Sequence, residues 1–222
     1  MKNIYKNLYE KKDLKLKKNY RIKLMANIIK GLKPVNKNIL DIGCHDGTFL
    51  SKLPRNNNFF GIEASEKAYK LSLKKNIKVI KFFFNDNKLP YKGNLFDIVI
   101  AGEIIEHIYD TDQFLKEIRR ILKPNGYLLI STPNIASLPR RLMLLLGINP
   151  IIETTPNKID SSGHIRYFTF KSLSNLIKEN KFKIIKSFSD VTNFHSQGKI
   201  KSKLIPKLFP TLGQSIITLC QK

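Results

Sequence analysis

Acidic residues are scarce in this chain: 17 Asp and Glu stand against 40 Lys and Arg in 222 residues, a net charge of +23. That imbalance first suggests a polyanionic partner. Cysteine is almost absent. Cys44 and Cys220 lie far apart and make no disulfide framework, so a reducing, cytoplasmic setting is expected. No apolar run reaches the roughly 18 residues of a membrane-spanning helix. The lysine-rich first residues have no apolar stretch of the kind a signal peptide needs. Eleven Gly and ten Pro are too few for a low-complexity chain, and 42% apolar residues are too many for a disordered one. What remains is a chain long enough for one α/β domain with elaborations, able to bury a core without disulfides or a structural metal.

The charge is uneven. Residues 1–37 hold 12 basic and 2 acidic groups, residues 38–134 hold 14 and 11, and residues 135–222 hold 14 and 4. The middle is close to balance and both ends are basic. Lysine outnumbers arginine 33 to 7, and with abundant Asn and Ile this is the composition AT-rich codons favour, so part of the surplus reflects drift.

Residues 1–18 read as a basic arm and 19–222 as one domain. Within it, 38–134 is a cofactor-binding part, and 135–222 forms a cap over the substrate and the C-terminal part. Ile22, Met25, Ile28, Ile29 and Leu32 recur at helical spacing before Gly31 and Pro34 close the segment. Continuously apolar runs follow at 39–43, 59–63, 77–84, 96–101 and 127–131. They alternate with helical stretches at 48–53, 66–74 and 110–122, with a turn at Lys123-Pro124-Asn125-Gly126. Strands alternating with helices mean βαβ units and a parallel sheet covered on both faces. Further on, 135–146 reads as an amphipathic helix, 147–163 as a loop, 170–179 as a helix capped by Thr169, and 182–188 and 215–220 as the final strands.

Two constellations carry chemistry. In Ile39-Leu40-Asp41-Ile42-Gly43-Cys44-His45-Asp46-Gly47 a strand enters a glycine turn where a ligand can come close to the backbone. Glu63 ends the next strand about twenty residues on, the place where a carboxylate holds ribose hydroxyls. The spacing is D-x-G-x-x-x-G, with Asp41 ahead of the first glycine. That charge repels a dinucleotide diphosphate and attracts a cationic ligand.

These segments resemble class I S-adenosylmethionine-dependent methyltransferases. The resemblance rests on LDIGCHDG at 40–47, GIEAS at 61–65, FFFNDNKLPY at 82–91, FDIVIAGEIIEHI at 96–108 and LKPNGYLLISTPN at 122–134. It implies an α/β, Rossmann-like seven-stranded sheet, mostly parallel with an antiparallel last strand, and helices on both faces. It also implies that Asp41, Gly43 and Gly47 line the methionine end of the cofactor, with Cys44 and Glu103 among the other cofactor-binding residues. Glu63 would bind the ribose, Ala64 the adenine face, and Asn85 and Asp86 the adenine edge. Arg21 resembles an arginine that quinone O-methyltransferases aim at the cofactor carboxylate. His45 departs from the family's usual glycine, and a positive φ there strains a histidine.

The second constellation is Glu103-Ile104-Ile105-Glu106-His107. A helix beginning after the fourth strand puts 103, 106 and 107 on one face, where two carboxylates and an imidazole can hold a divalent cation such as Mg²⁺, with His164 as a fourth ligand. The motif resembles two methyltransferase groups, one acting on catechol-like quinone precursors and the other on the 2′-hydroxyl at the 3′ end of small RNAs. In the absence of a metal, His107 or His164, with Glu106 nearby, takes the general-base role. In the cap, Arg140, Arg141, His164, Arg166 and Tyr167 suit an anionic acceptor, while Arg140-Arg141 beside Leu142–Leu146 equally suits an anionic membrane surface. The expected function is methylation of an oxygen on a small molecule, such as a sugar, a glycan precursor or a quinone-like phenol. The alternative is an RNA 2′-O-methyltransferase.

Overall fold

A computed structural model of the chain describes residues 20–84, 88–150, 163–194 and 200–222. The basic arm at 1–18 and the adenine-edge candidates Asn85 and Asp86 lie outside the described residues, as does part of the cap.

The apolar runs form β1 (Asn38–Ile42), β2 (Asn58–Glu63), β3 (Lys78–Lys81), β4 (Phe96–Gly102), β5 (Leu122–Pro133), β6 (Lys183–Phe188) and, at the C-terminus, β9 (Ser215–Gln221). They lie in the order β3-β2-β1-β4-β5-β9-β6. The pairs β1/β2, β2/β3, β1/β4 and β4/β5 are parallel, and β9 runs antiparallel to both β5 and β6. The sheet is thus seven-stranded with an antiparallel last strand, as expected. Strand order reverses at β1, whose neighbours are β2 and β4. The carboxyl ends of β1 and β4 therefore diverge over a crevice, the usual ligand site of open α/β sheets.

The apolar runs are continuous because both faces of the sheet are buried. Leu40, Ile42, Val99, Ala101, Leu128 and Ile130 face one core; Ile39, Ile98, Ile100 and Leu129 face the other. Helices cover each. On the first side α3 (Thr111–Ile121) buries Phe114, Leu115, Ile118 and Ile121, and α5 (Phe170–Glu179) buries Leu173 and Ile177. On the second, α1 (Tyr20–Gly31) buries Met25, Ala26 and Ile29. Side-chain caps start the helices where expected. Asp110 accepts from Gln113 N at 2.8 Å, and Thr169 and Ser172 form a reciprocal capping box. Ser65 caps α2 (Glu66–Leu73) in the same way.

Three expectations change. The helix at 48–53 is one 3-10 turn, Leu50–Lys52, because Pro54 follows and the turn before it is closed by Asp46, whose carboxylate accepts from Thr48 N and Thr48 Oγ1. The turn at 123–126 is an excursion within β5: the partner register jumps from Phe96↔Leu122 to Ile98↔Tyr127, with Asn125 at φ 60. The amphipathic helix starts late, as α4 (Leu138–Leu145). A small hairpin, β7 (Thr192–Asn193) with β8 (Lys201–Ser202), and a short α6 (Leu204–Leu208) were not anticipated, being too short for any periodicity to show.

Candidate active site

Gly43, Cys44 and Gly47 leave β1 in a tight turn. Gly43 has φ +73, and its N–H donates to Ile62 O at 2.8 Å; Cys44 N donates to the same carbonyl at 3.0 Å. A Cβ on Gly43 would meet the outer atoms of the Ile104 side chain, and the left-handed φ is what calls for glycine. His45 does sit at positive φ, 50°. Its N–H donates to Glu63 Oε2 at 2.8 Å, and Ser65 N donates to Glu63 Oε1 at 2.7 Å. Glu63 is thereby fixed against the turn with Ala64 beside it. Cys44 is turned inward: a Cβ on Gly61 would stand 2.6 Å from its sulfur. Burial first, then the charges of Asp41 and Glu63, hold its thiol far above the usual range. It is not a nucleophile.

Asp41 is buried in β1. Burial, and next the nearby Glu63 charge, push its carboxyl up to about 8, with Arg21 pulling the other way. A buried acid of this kind, beside a second carboxylate, suits a cationic ligand.

Arg21, in the first turn of α1, reaches Ser131 Oγ (3.1 Å) and Glu103 Oε1 (3.2 Å) through the same nitrogen, Nη1. Glu103 follows β4 with φ 58, and its N–H donates to Ser131 O at 2.9 Å. The backbone therefore kinks at Glu103, and only a 3-10 turn, Ile105–His107, follows. The expected single helical face does not form. Glu103 pairs with Arg21, while Glu106 and His107 gather with His164.

Glu106 is 1% exposed. Thr132 Oγ1 donates to its Oε2 at 2.9 Å, and Oε1, though buried, accepts no hydrogen bond. His164 Nε2 stands 3.8 Å from that oxygen. Burial first, then the Glu103 charge, raises the Glu106 carboxyl above the ordinary range. His107 Nδ1 lies 3.0 Å from Gly163 O. A carbonyl only accepts, so Nδ1 carries the proton and Nε2 is the basic nitrogen. The two imidazoles stack at a tilt, centroids 4.9 Å apart. Donor atoms of Glu106, His107 and His164 all lie within 4.8 Å of one another.

The segment carrying His164 is tied down by backbone. Ile165 N and Arg166 N donate to Glu106 O (3.0 and 3.2 Å), Arg166 Nε donates to Ile108 O at 3.0 Å, and its Nη2 bonds Tyr109 O. Arg140 and Arg141 likewise serve structure, donating to Asn134 O and Ala136 O. Two residues of the site, Ser131 and Thr132, were passed over in the sequence. The signal was there: both end β5 inside the Ser131-Thr132-Pro133-Asn134 segment, beside the end of β4.

The glycine turn and the carboxylates of Asp41 and Glu63 lie at the strand-order reversal of an α/β sheet. A family model described as a methyltransferase domain matches residues 17–187, and the chain belongs to that family. A ubiquinone biosynthesis O-methyltransferase from Pelagibacter ubique is 32% identical over 151 residues, covering 63% of this chain and 57% of that protein. A human mitochondrial arginine hydroxylase is 32% identical over 89 residues, 39% of this chain and 26% of that one. The chain thus spans little more than half the length of the first of these relatives. Among solved structures, an S-adenosylmethionine-dependent methyltransferase from Thermotoga maritima, described as a possible histamine N-methyltransferase, superposes with a TM-score of 0.65 at 22% identity, covering 91% of this chain and 89% of that one. At that identity the likeness concerns the fold.

Proposed function

We propose that the protein transfers the methyl group of S-adenosylmethionine to a hydroxyl oxygen of a small, phenol-like acceptor. The single observation that carries this reading is the Glu106–His107–His164 cluster, set at the same sheet edge as the Asp41–Gly43–Glu63 turn. Membership of the methyltransferase family and the name of the Pelagibacter relative support it. The RNA reading rests on charge and on the Glu103–His107 motif, and no relative quoted above supports it.

The cofactor supplies an already activated methyl on a sulfonium, so the protein must align, exclude water and remove a proton. Glu63 holds the ribose hydroxyls, with Ala64 beside the base. Asp41 answers the positive charge, and Arg21 binds the carboxylate, drawn toward the site by Ser131 and Glu103. His107 Nε2 takes the proton from the acceptor hydroxyl. Glu106, braced by Thr132, orients His164 and steadies positive charge on the imidazoles.

The three-donor cluster also fits a divalent cation. Glu106 Oε1 is buried without a hydrogen bond, and one carboxylate with two imidazoles is a usual ligand set. When bound, such an ion supplies Lewis acidity that lowers the pKa of an acceptor oxygen.

The test is methyl transfer to a panel of mono- and dihydroxy phenols, with and without added Mg²⁺ and after exhaustive chelation. Product formation that falls at least a hundredfold in His107→Ala supports the reading. Transfer only to RNA, or to amines, overturns it. Activity that survives chelation removes the metal and leaves the histidine base.

A further inference from the structure

The first turn of α1 carries Arg21 but no fully buried side chain. The helix buries Met25, Ala26 and Ile29, all beyond that turn. Contacts on two sides hold the turn instead, because neighbouring residues of a helix do not share a face. On one side, Arg21 Nη1 meets Ser131 Oγ and Glu103 Oε1. On the other, the Tyr20 ring lies under two lysines from the segment around β8. Lys203 Nζ stands 4.1 Å and Lys201 Nζ 5.5 Å from the ring centroid, both close enough for a cation–π contact. Residues 20–37 and 200–222 contain no Asp or Glu, so an aromatic face is what these ammonium groups find.

The lysines are themselves anchored. Lys201 belongs to β8 and pairs with Asn193 of β7. Lys203 precedes α6, and Ser202 Oγ braces the start of that helix by accepting from Ile205 N at 3.2 Å. Pro206 of α6 is buried, and a Cβ on Gly213 would stand 2.8 Å from its Cβ. Asn134, just past β5, donates to Thr211 O and Gly213 O at 2.9 and 2.8 Å. The contacts close a circuit. Arg21 joins α1 to Ser131 near the end of β5. Asn134 follows on the same strand exit and holds the turn after α6. The chain from that turn back to Lys203 returns to Tyr20, beside Arg21. The first turn of α1 is thus fastened to the carboxyl end of β5 directly, and again through a strap made of residues 201–213.

We infer that Tyr20 is a positioning residue: clamped by Lys201 and Lys203, it presents Arg21 to the carboxylate of the cofactor. A long arginine side chain loses rotamer freedom when it binds, and a backbone already fixed leaves less to be ordered at that moment. Ser131 and Glu103 hold the guanidinium, and the strap holds the helix turn from which it springs. The inference rests on the reading of the site as one for S-adenosylmethionine with Arg21 at its carboxylate, and it names what keeps that arginine in place.

The experiment is calorimetric titration of the full chain with S-adenosylmethionine and with methylthioadenosine, which lacks the carboxylate. The chains compared are the wild type, Tyr20→Leu, Tyr20→Phe and Lys203→Met. Tyr20→Leu and Lys203→Met should raise Kd for S-adenosylmethionine about fivefold and leave Kd for methylthioadenosine unchanged, which also shows that the pocket still folds. Tyr20→Phe keeps the ring face and should bind like the wild type. In an Arg21→Ala background, Tyr20→Leu should change nothing further, because its effect passes through the arginine. A wild type that binds neither ligand removes the cofactor reading and the inference with it. If the wild type binds and Tyr20→Leu leaves its affinity for S-adenosylmethionine intact, the strap alone is overturned. Equal losses for both ligands, or a loss that persists in Arg21→Ala, make Tyr20 a structural residue and overturn it as well. So does a loss in Lys203→Met without one in Tyr20→Leu, since the lysine then acts on the ligand by its charge.

Discussion

At the scale of single residues, Asp41 yields the sharpest prediction. Its raised carboxyl, near 8, keeps a proton in the folded chain that the unfolded chain gives up above pH ~4. The folded state binds more protons over that interval, so the stability of the ligand-free protein falls as pH rises from about 4 to about 8. A cationic ligand acts in the opposite sense, because it favours the ionised carboxylate. Affinity for S-adenosylmethionine should therefore tighten between pH ~6 and ~9, more steeply than affinity for uncharged-sulfur S-adenosylhomocysteine. Calorimetry in buffers of different ionisation enthalpy should show proton release near neutral pH. Asp41→Asn should abolish both effects, and equal pH slopes for the two ligands would dissociate Asp41 from the sulfonium.

Arg21 and Glu103 offer a second prediction at this scale. Glu103 holds a positive φ, a conformation that costs about 1 kcal/mol or more outside glycine, and its carboxylate lies 3.2 Å from Arg21. If that geometry exists to position the arginine, Glu103→Gln should raise Kd for S-adenosylmethionine several-fold while leaving Kd for methylthioadenosine, which has no carboxylate, unchanged. Equal losses for both ligands would make Glu103 a structural residue instead.

At the scale of elements, legibility in the sequence followed locality. The β1 turn was readable because Asp41, Gly43, Gly47 and Glu63 belong to one βαβ unit, so their closeness follows from spacing. Arg21–Glu103 and Glu106–Thr132 were not readable as contacts. They join α1 to the end of β4, and the ends of β4 and β5 to each other, so they depend on sheet register. The helix expected at 103–107 failed for a local reason: Glu103 takes a positive φ, and only a 3-10 turn follows. Asn134 is the clearest packing consequence. It is fully buried and donates to two carbonyls of the 210–213 segment while its Oδ1 accepts from Ala136 N. Asn134→Ala leaves those groups unpaired and should cost about 2–4 kcal/mol in chemical denaturation. Ile118→Ala on the buried face of α3 should cost about 2–5 kcal/mol by cavity formation. A loss below 1 kcal/mol at either position would contradict the packing described.

At the scale of the whole molecule, the +23 charge divides by place. The part that holds the site is close to neutral and concentrates its carboxylates at the crevice: Asp41, Glu63, Glu103 and Glu106. The surplus sits at both ends of the chain, and in the described C-terminal part it surrounds exposed leucines. The carboxylates thus gather around the ends of β1, β2 and β4, while the basic surplus lies in the flanking segments. The same separation explains why total charge alone pointed first to nucleic acid.

The account stands or falls on the crevice holding S-adenosylmethionine. Calorimetric titration of the full chain with that ligand measures this directly. One binding site per chain is predicted, with a thermal upshift on saturation and affinity lowered more than tenfold by Glu63→Ala. No heat and no thermal shift for the wild type, or an affinity that Glu63→Ala leaves unchanged, would contradict it.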